Sequence, residues 1–483
     1  MDFKKKVLII GYGAVARATL PLLLRHVNIA PENITIIDSR NKEHDLSFWI
    51  KNGIRFFRTT IKPGNYAQIL SDYLSAGDLL IDLSVSIDCY DILSWCHDHR
   101  VLYINASVEV WDPYCSEMNG FTYEKTLHYR QMRLLNLTKR WQNTTTCIVD
   151  HGANPGLISH FAKKGLVDIA EKLIADGKAE NPPRISRLIS EKRYPELAMV
   201  TGIQVIHCSE RDTQVSKYPK RPDEFVNTWS VEGFYEEAIA PAEIGWGTHE
   251  CILPVDSYLP PEGIVNELIF KKMGINTWIR SWIPDEEITG MVIRHGEAFG
   301  LSDRWTVRKN GEVVYRPTVC YVYKPCSLTL ESLDEIRSRN YDLHATQRIL
   351  RAEEISSGAD ILGSLLMGHP YSSWWTGSIL SIEESARLVP GQNATTIQVG
   401  IGLVAAVMWM IENPENGFCL PDDLPYDYIL RIAEPFLGRY YSGPSDWTPA
   451  GDKPAYTAGS GEADRKIWQF EHFASSYESF KSS

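Results

Sequence analysis

The chain has 483 residues, 44% of them hydrophobic and 23% charged, which supplies apolar material for two or three domains and excludes a disordered chain. Its formal charge of -12, from 61 acidic against 49 basic residues, argues against a nucleic-acid partner, which needs clustered Lys and Arg, and suits a cationic partner better. The nine cysteines form no Cys-x-x-Cys pair, so their spacing encodes neither a disulfide framework nor a zinc knuckle, and reduced thiols in a cytoplasmic setting are expected.

Residues 1–6 are basic and lead into an apolar run, but Gly11 and Gly13 interrupt that run, so 7–10 is a predicted strand and not a signal segment. Gly11-Tyr12-Gly13-Ala14-Val15-Ala16 then turns the chain into a helical stretch over 17–27. Further short apolar runs at 34–37, 79–81 and 101–104 alternate with helical stretches at 66–75 and 89–97, and this alternation implies a parallel sheet. After a β-branched run at 145–149, the turn His151-Gly152-Ala153-Asn154-Pro155-Gly156 leads to a helix at 157–165. The boundary placed there gives a Rossmann domain over 1–150, a mixed α+β substrate domain over 151–390 and a C-terminal segment over 391–483. In the middle domain 185–189, 202–208, 291–293 and 319–323 read as strands. The apolar stretch 397–411 falls short of the ~20 residues a membrane span needs and reads as a buried helix, and the tail from Ser442 reads as irregular. No membrane partner is expected.

The pattern Gly11, Gly13, Ala16 stands where a dinucleotide fingerprint requires it, after a strand and opening a helix. Gly11 permits the tight turn, Gly13 leaves room for a pyrophosphate, Ala16 allows close helix–strand packing, and the helix N-terminus offers free N–H groups. Asp38, at the end of the second strand, suits the ribose hydroxyls of NAD and repels the extra phosphate of NADP, although Arg40 stands close by and FAD uses the same turn. Ser84, Val85 and Ser86 border the carboxyl edge of the sheet and read equally well as a cofactor rim or an ordinary polar turn.

Residues 229–250 hold five carboxylates, four aromatic side chains and no Lys or Arg, a composition that fits an ammonium ligand through cation–π and charge-assisted contacts. A solvated acidic loop over packed aromatics has the same composition. His295-Gly296-Glu297 follows an apolar run, so both side chains are placed at a strand end facing a cleft, with a structural His and a surface Glu as the alternative. Cys96, His97 and His99 resemble metal ligands by type, but adjacent residues on a helix end diverge and no second cluster completes a site, so no metal is expected.

Taken with the turn at 151–156, the runs Ser209-Glu210-Arg211-Asp212-Thr213-Gln214, Phe225-Val226-Asn227-Thr228-Trp229-Ser230, Gly245-Trp246-Gly247-Thr248-His249-Glu250 and Arg294-His295-Gly296-Glu297 resemble the bacterial homospermidine synthases over almost the whole chain. More distantly the layout is similar to the saccharopine dehydrogenase-like superfamily, which implies an α/β fold with a late helix, here 395–412, returning to the Rossmann domain. The resemblance implies NAD-dependent oxidation of putrescine, loss of ammonia, condensation with a second putrescine and reduction of the imine, with spermidine as a further amine and a homodimer as the assembly. Matched motif by motif, it implies Glu117, Asn154, Glu210, Trp229, Glu237, His295, Glu297 and Asp360 as site residues.

A hydride leaves a carbon beside nitrogen only when that nitrogen has a lone pair, so one end of a diamine must lose a proton while the other stays charged. Glu210 or Glu237 can take that proton or hold the distal ammonium, His295 can relay protons, and the Trp229 ring can face the iminium. Two other readings are an NAD-dependent dehydrogenase of an amine or amino acid on the saccharopine pattern, and a non-catalytic NAD-binding sensor. A carboxylate-bearing substrate requires basic residues in the pocket, which 229–250 does not supply.

Overall fold

The structure, a computed structural model, describes residues 1–113, 122–142, 144–450 and 467–477. Its N-terminal sheet has seven parallel strands in the order Phe418–Cys419, Cys147–Ile148, Leu102–Asn105, Leu79–Asp82, Val7–Ile10, Ile34–Asp38 and Arg55–Arg58. Helices cover both faces, so the central strands are buried throughout and carry unbroken apolar runs such as Val-Leu-Ile-Ile. The chain leaves the first strand through Gly11, whose φ of +84° and 2.6 Å approach of a would-be Cβ to the Leu83 carbonyl exclude any side chain.

The last strand of this sheet comes from far along the chain, and so does one of its covering helices. Helix Ala394–Glu412 lies against the first helix, Ala14–His26, with Gly400 packed 3.2 Å from the Thr19 amide when a Cβ is built on it. Gly402 packs more tightly still, a Cβ built on it running into the Gly152 carbonyl oxygen, so two glycines on this helix let three segments of backbone meet. The helix is long and apolar enough to cross a membrane, yet 83% of its most apolar window is buried inside the fold, which makes it a core helix.

The second sheet has eleven strands of mixed direction. Its main path runs Ser257–Tyr258, Glu267–Met273, Pro241–Gly245, Thr318–Lys324, Val205–Asp212, Ala359–His369, Ser372–Ser381 and Arg439–Ser445. Val205–Asp212 lies in the middle, parallel to Thr318–Lys324 and antiparallel to Ala359–His369.

Two local expectations fail. Residues 185–189, read as a strand, belong to helix Pro182–Ser190, where Ile185 and Leu188 are buried at helical spacing and the Asn181 side chain accepts from the Arg184 amide at 3.1 Å. The three-residue spacing and the cap outweigh β-branched content. The tail beyond Ser442, read as irregular, begins inside strand Arg439–Ser445, which pairs with Ser372–Ser381.

Candidate active site

A cavity of about 630 Å³ opens at the carboxyl edge of the parallel sheet, between it and the second sheet. At one end it is lined by Gly11, Gly13, Ala16, Asp38 and Ser84. Gly13 is the N-cap of the first helix, no side chain caps that helix, and a Cβ built on Gly13 meets nothing within 4 Å. The first-turn N–H groups therefore face open space, the arrangement that holds a pyrophosphate. Asp38 is anchored by the amides of Tyr12 and Arg40, each donating at 2.8 Å. The cations that line the cavity, Arg17, Arg40, Lys42 and Arg351, gather at this end: Arg40 lies 3.9 Å from Asp38, and Arg17 and Arg351 lie 4.0 and 3.9 Å from Asp45. The Ser84 hydroxyl donates to Asp82 at 2.5 Å, and burial pushes the Asp82 carboxyl up to about 6. A dinucleotide fits this donor set.

The other end is acidic and aromatic. On the pleat of Val205–Asp212, Cys208, Glu210 and Asp212 share a face, and the adjoining strands bring Tyr321 and Tyr323 to one side and Asp360 and Leu362 to the other. Tyr321 donates to Glu210 Oε2 at 2.6 Å and Asn154 reaches the same oxygen at 3.5 Å. Burial pushes the Glu210 carboxyl up to about 7, against the pull of these two hydrogen bonds. Burial, then the charges of Glu210 and Asp212, raise Asp360 far above the carboxylate range. Across the cavity stand Trp229, whose Nε1 donates to the Tyr323 hydroxyl at 3.3 Å, and the carboxylates of Glu237 and Glu109. Three buried acceptor oxygens of cavity-lining residues, Asn154 Oδ1, Asp360 Oδ1 and Gln398 Oε1, have no hydrogen-bond donor.

Five expected residues, Asn154, Glu210, Trp229, Glu237 and Asp360, thus line one cavity. His295 and Glu297 do not. The expectation that both face a cleft is corrected: they open helix Gly296–Arg304 and are buried behind the wall. Glu297 accepts from the Gly156 amide at 2.6 Å and from His295 Nδ1 at 2.7 Å, and the His295 ring stands edge-on to Tyr321, centroids 5.2 Å apart. Glu117 lies outside the described residues.

The acidic run 229–250 is also dispersed. Glu236 binds Arg130 and Arg294, Glu243 accepts from the amides of Leu127 and His128, and Glu250 accepts from Thr318 and the Phe470 amide. Only Trp229, Ser230, Glu232, Gly233 and Glu237 of that run reach the cavity among the described residues. His97 and His99 stack separately on Trp141 and Trp95. Sequence reasoning missed Glu109 and Tyr321. Glu109 follows strand Leu102–Asn105 by four residues, so the rule that ligands bind at the carboxyl edge of the sheet was signal enough to find it. Tyr321 carried no local signal, since only strand pairing sets it beside Glu210.

The chain matches two family models, the saccharopine dehydrogenase NADP binding domain over residues 7–149 and the saccharopine dehydrogenase C-terminal domain over residues 152–441. It is 35% identical to a homospermidine synthase of Blastochloris viridis over 453 residues, 93% of either chain. It is 34% identical to one of Mesorhizobium japonicum over 472 residues, 96% of this chain and 95% of that one. Among solved structures it resembles the homospermidine synthase of Legionella pneumophila in complex with NAD, with a TM-score of 0.85, 34% identity and 99% of each chain covered.

Proposed function

The chain belongs to the homospermidine synthase family, and on that premise we propose that it joins two molecules of putrescine into homospermidine with loss of ammonia. The observation that carries this reading is the acidic end of the cavity, where Glu109, Glu210, Glu237 and Asp360 line the same space that presents the dinucleotide turn. An ammonium group brings three N–H donors and no acceptor, so it complements such a wall, whereas a carboxylate would not.

The turn at Gly11 and Gly13, with the helix that Ala16 packs on the sheet, would hold the pyrophosphate of NAD, and Asp38 would accept from its ribose. Bound there, NAD supplies a hydride acceptor that returns the hydride later, so the reaction has no net redox change. The chain's own residues handle protons and charge. Glu210, near 7, is matched to taking the proton that frees the lone pair on the reacting amine. Glu237, Glu109 and Asp360 are placed to hold an ammonium, and the Trp229 face to stabilise the substrate iminium. The neutral amine of the second putrescine then adds to that carbon; Glu210 gives its proton to the first nitrogen and takes one from the newly bonded nitrogen, the bond to the first nitrogen breaks, and ammonia leaves. Reduction of the new imine completes homospermidine. His295 and Glu297 act from behind the wall by supporting Tyr321 and the Gly156 turn, which makes them positioning residues. The eight described cysteines are free thiols, which supports a cytoplasmic setting.

Purified protein given putrescine and a catalytic amount of NAD is expected to release one ammonia per homospermidine, measured by mass spectrometry, with no net NADH. Steady accumulation of NADH would instead identify a simple amine dehydrogenase, and no turnover would identify a sensor.

A further inference from the structure

Glu236 and Glu237 are consecutive on helix Val231–Ile239, yet only Glu237 lines the cavity. Glu236 Oε1 accepts from Arg130 Nη2 at 2.6 Å and also from Arg294 Nη2. Both guanidiniums are pinned at the back: Arg130 Nη1 donates to the Val108 carbonyl at 2.9 Å and Arg294 Nη1 to the Lys125 carbonyl at 2.5 Å. The side chains of Arg130, Arg294 and Glu236 are 8%, 2% and 14% exposed, so two buried cations converge on one carboxylate. Neither Glu237 nor Glu109 makes an ion pair with another described residue. Both lie within the electrostatic reach of this cluster, Glu237 of Arg294 and Glu109 of Arg130.

We propose that Glu236 is a positioning residue for cation recognition: by holding Arg130 and Arg294 on its own carboxylate, it keeps both guanidiniums off Glu237 and Glu109, which stay available to an ammonium group. This role rests on the polyamine reading of the cavity. A buried guanidinium that loses its counter-ion must find another, because an uncompensated buried charge is among the costliest defects a fold can carry. The other carboxylates in electrostatic reach are Glu243, Glu237, Asp150 and Glu109; of these Glu237 and Glu109 line the cavity, and an internal ion pair there competes directly with the ligand. The sequence couples the groups further, since Arg294 precedes His295 and Glu236 precedes Glu237.

The test uses the NAD-loaded full chain and putrescine as the probe, with calorimetric Kd, KM and kcat for each variant. Glu236→Gln, which keeps shape and loses charge, is expected to weaken putrescine binding roughly tenfold or more, with a much smaller change in kcat and an unchanged Kd for NAD. Glu236→Asp is expected to restore part of the affinity. The double variant Glu236→Gln with Arg294→Gln is expected to bind better than Glu236→Gln alone, because the freed cation is gone; a purely structural role makes the double variant worse. Equal binding by wild type and Glu236→Gln, or a double variant no better than the single, overturns this role alone. A wild type that does not bind putrescine overturns the proposed function and this role with it. Should Glu236→Gln not fold, Glu236→Asp decides the matter: weaker putrescine binding at an unchanged Kd for NAD supports the role, and unchanged putrescine binding overturns it.

Discussion

The hydroxyl of Tyr321 donates to Oε2 of Glu210 over 2.6 Å, inside a wall where both side chains are about 5% exposed. Burial lifts the Glu210 carboxyl to about 7, and this bond, with the longer one from Asn154, opposes the lift. Tyr321 cannot exchange roles with its partner, because burial and then the Glu210 charge raise its own pKa well above that of a free phenol. The pair therefore sets a carboxyl that burial has raised to about 7 in the cavity wall.

Replacing Tyr321 with Phe removes a donor that favours the ionised form, so the Glu210 pKa must rise. A hydrogen bond to a charged group contributes ~1.5–3 kcal/mol, and one pKa unit corresponds to ~1.4 kcal/mol, so the acid limb of kcat/KM for putrescine is expected to move up by about one pH unit or more. A pH–rate profile of the two proteins measures it, and a limb that stays in place or moves down contradicts the assignment.

Trp229 is braced by the Tyr323 hydroxyl at 3.3 Å and by an edge contact with Phe234, centroids 5.5 Å apart, so its face has a defined direction. Trp229→Ala is expected to lose ~2–30-fold more kcat/KM than Trp229→Phe, which corresponds to ~0.5–2 kcal/mol for cation–π stabilisation. Steady-state kinetics of the two variants decide it; equal values remove the ring from the mechanism.

Asp38 is expected to set the choice of dinucleotide. Asp38→Ser removes a negative charge from the place a 2′-phosphate would occupy, while Arg40, 3.9 Å from that carboxylate, stays to receive it. The ratio of NADP to NAD affinity is expected to rise by about tenfold, or ~1.4 kcal/mol, in fluorescence titrations of both cofactors. A ratio that does not move would assign selection to other residues.

Asp150 supplies a test of buried charge. It accepts from Gln131 Nε2 at 2.6 Å, and burial, then the neighbouring Glu297 charge, push its carboxyl up to about 8 from an ordinary 3.8. Between those two values the folded chain keeps a proton that the unfolded chain has lost, so this group's contribution to stability is full below 3.8, declines as pH rises through the interval, and is lost above about 8. Asp150→Asn stays neutral at every pH. Its Tm is expected to exceed that of the wild type by a margin that grows from about pH 5 to about pH 8 and then levels. Melting curves across that range check it, and a margin independent of pH would show that Asp150 is not the titrating group.

The dinucleotide half of the site was legible because its signals are local. A strand, a Gly-x-Gly turn and a helix lie within about twenty residues, and the backbone geometry that lets N–H groups face a pyrophosphate follows from those residues alone. The acidic half misled where composition stood in for direction. Consecutive residues on a helix point about 100° apart, so Glu236 and Glu237 part company, and Glu243 sits on a strand whose partners are the amides of a distant helix.

From its sequence alone this protein carries the alternation that builds a parallel sheet, the turn that receives a dinucleotide, and the motifs that ally it with polyamine chemistry. Tertiary structure alone decides that Tyr321 and Asp360 flank Glu210, that Glu236 gathers two guanidiniums while Glu237 gathers none among the described residues, and that His295 and Glu297 stand behind the wall. The physical reason is range: backbone turn geometry is set by neighbours along the chain, whereas the charge and proton affinity of a buried side chain are set by groups a hundred residues away that strand register brings within 3 Å.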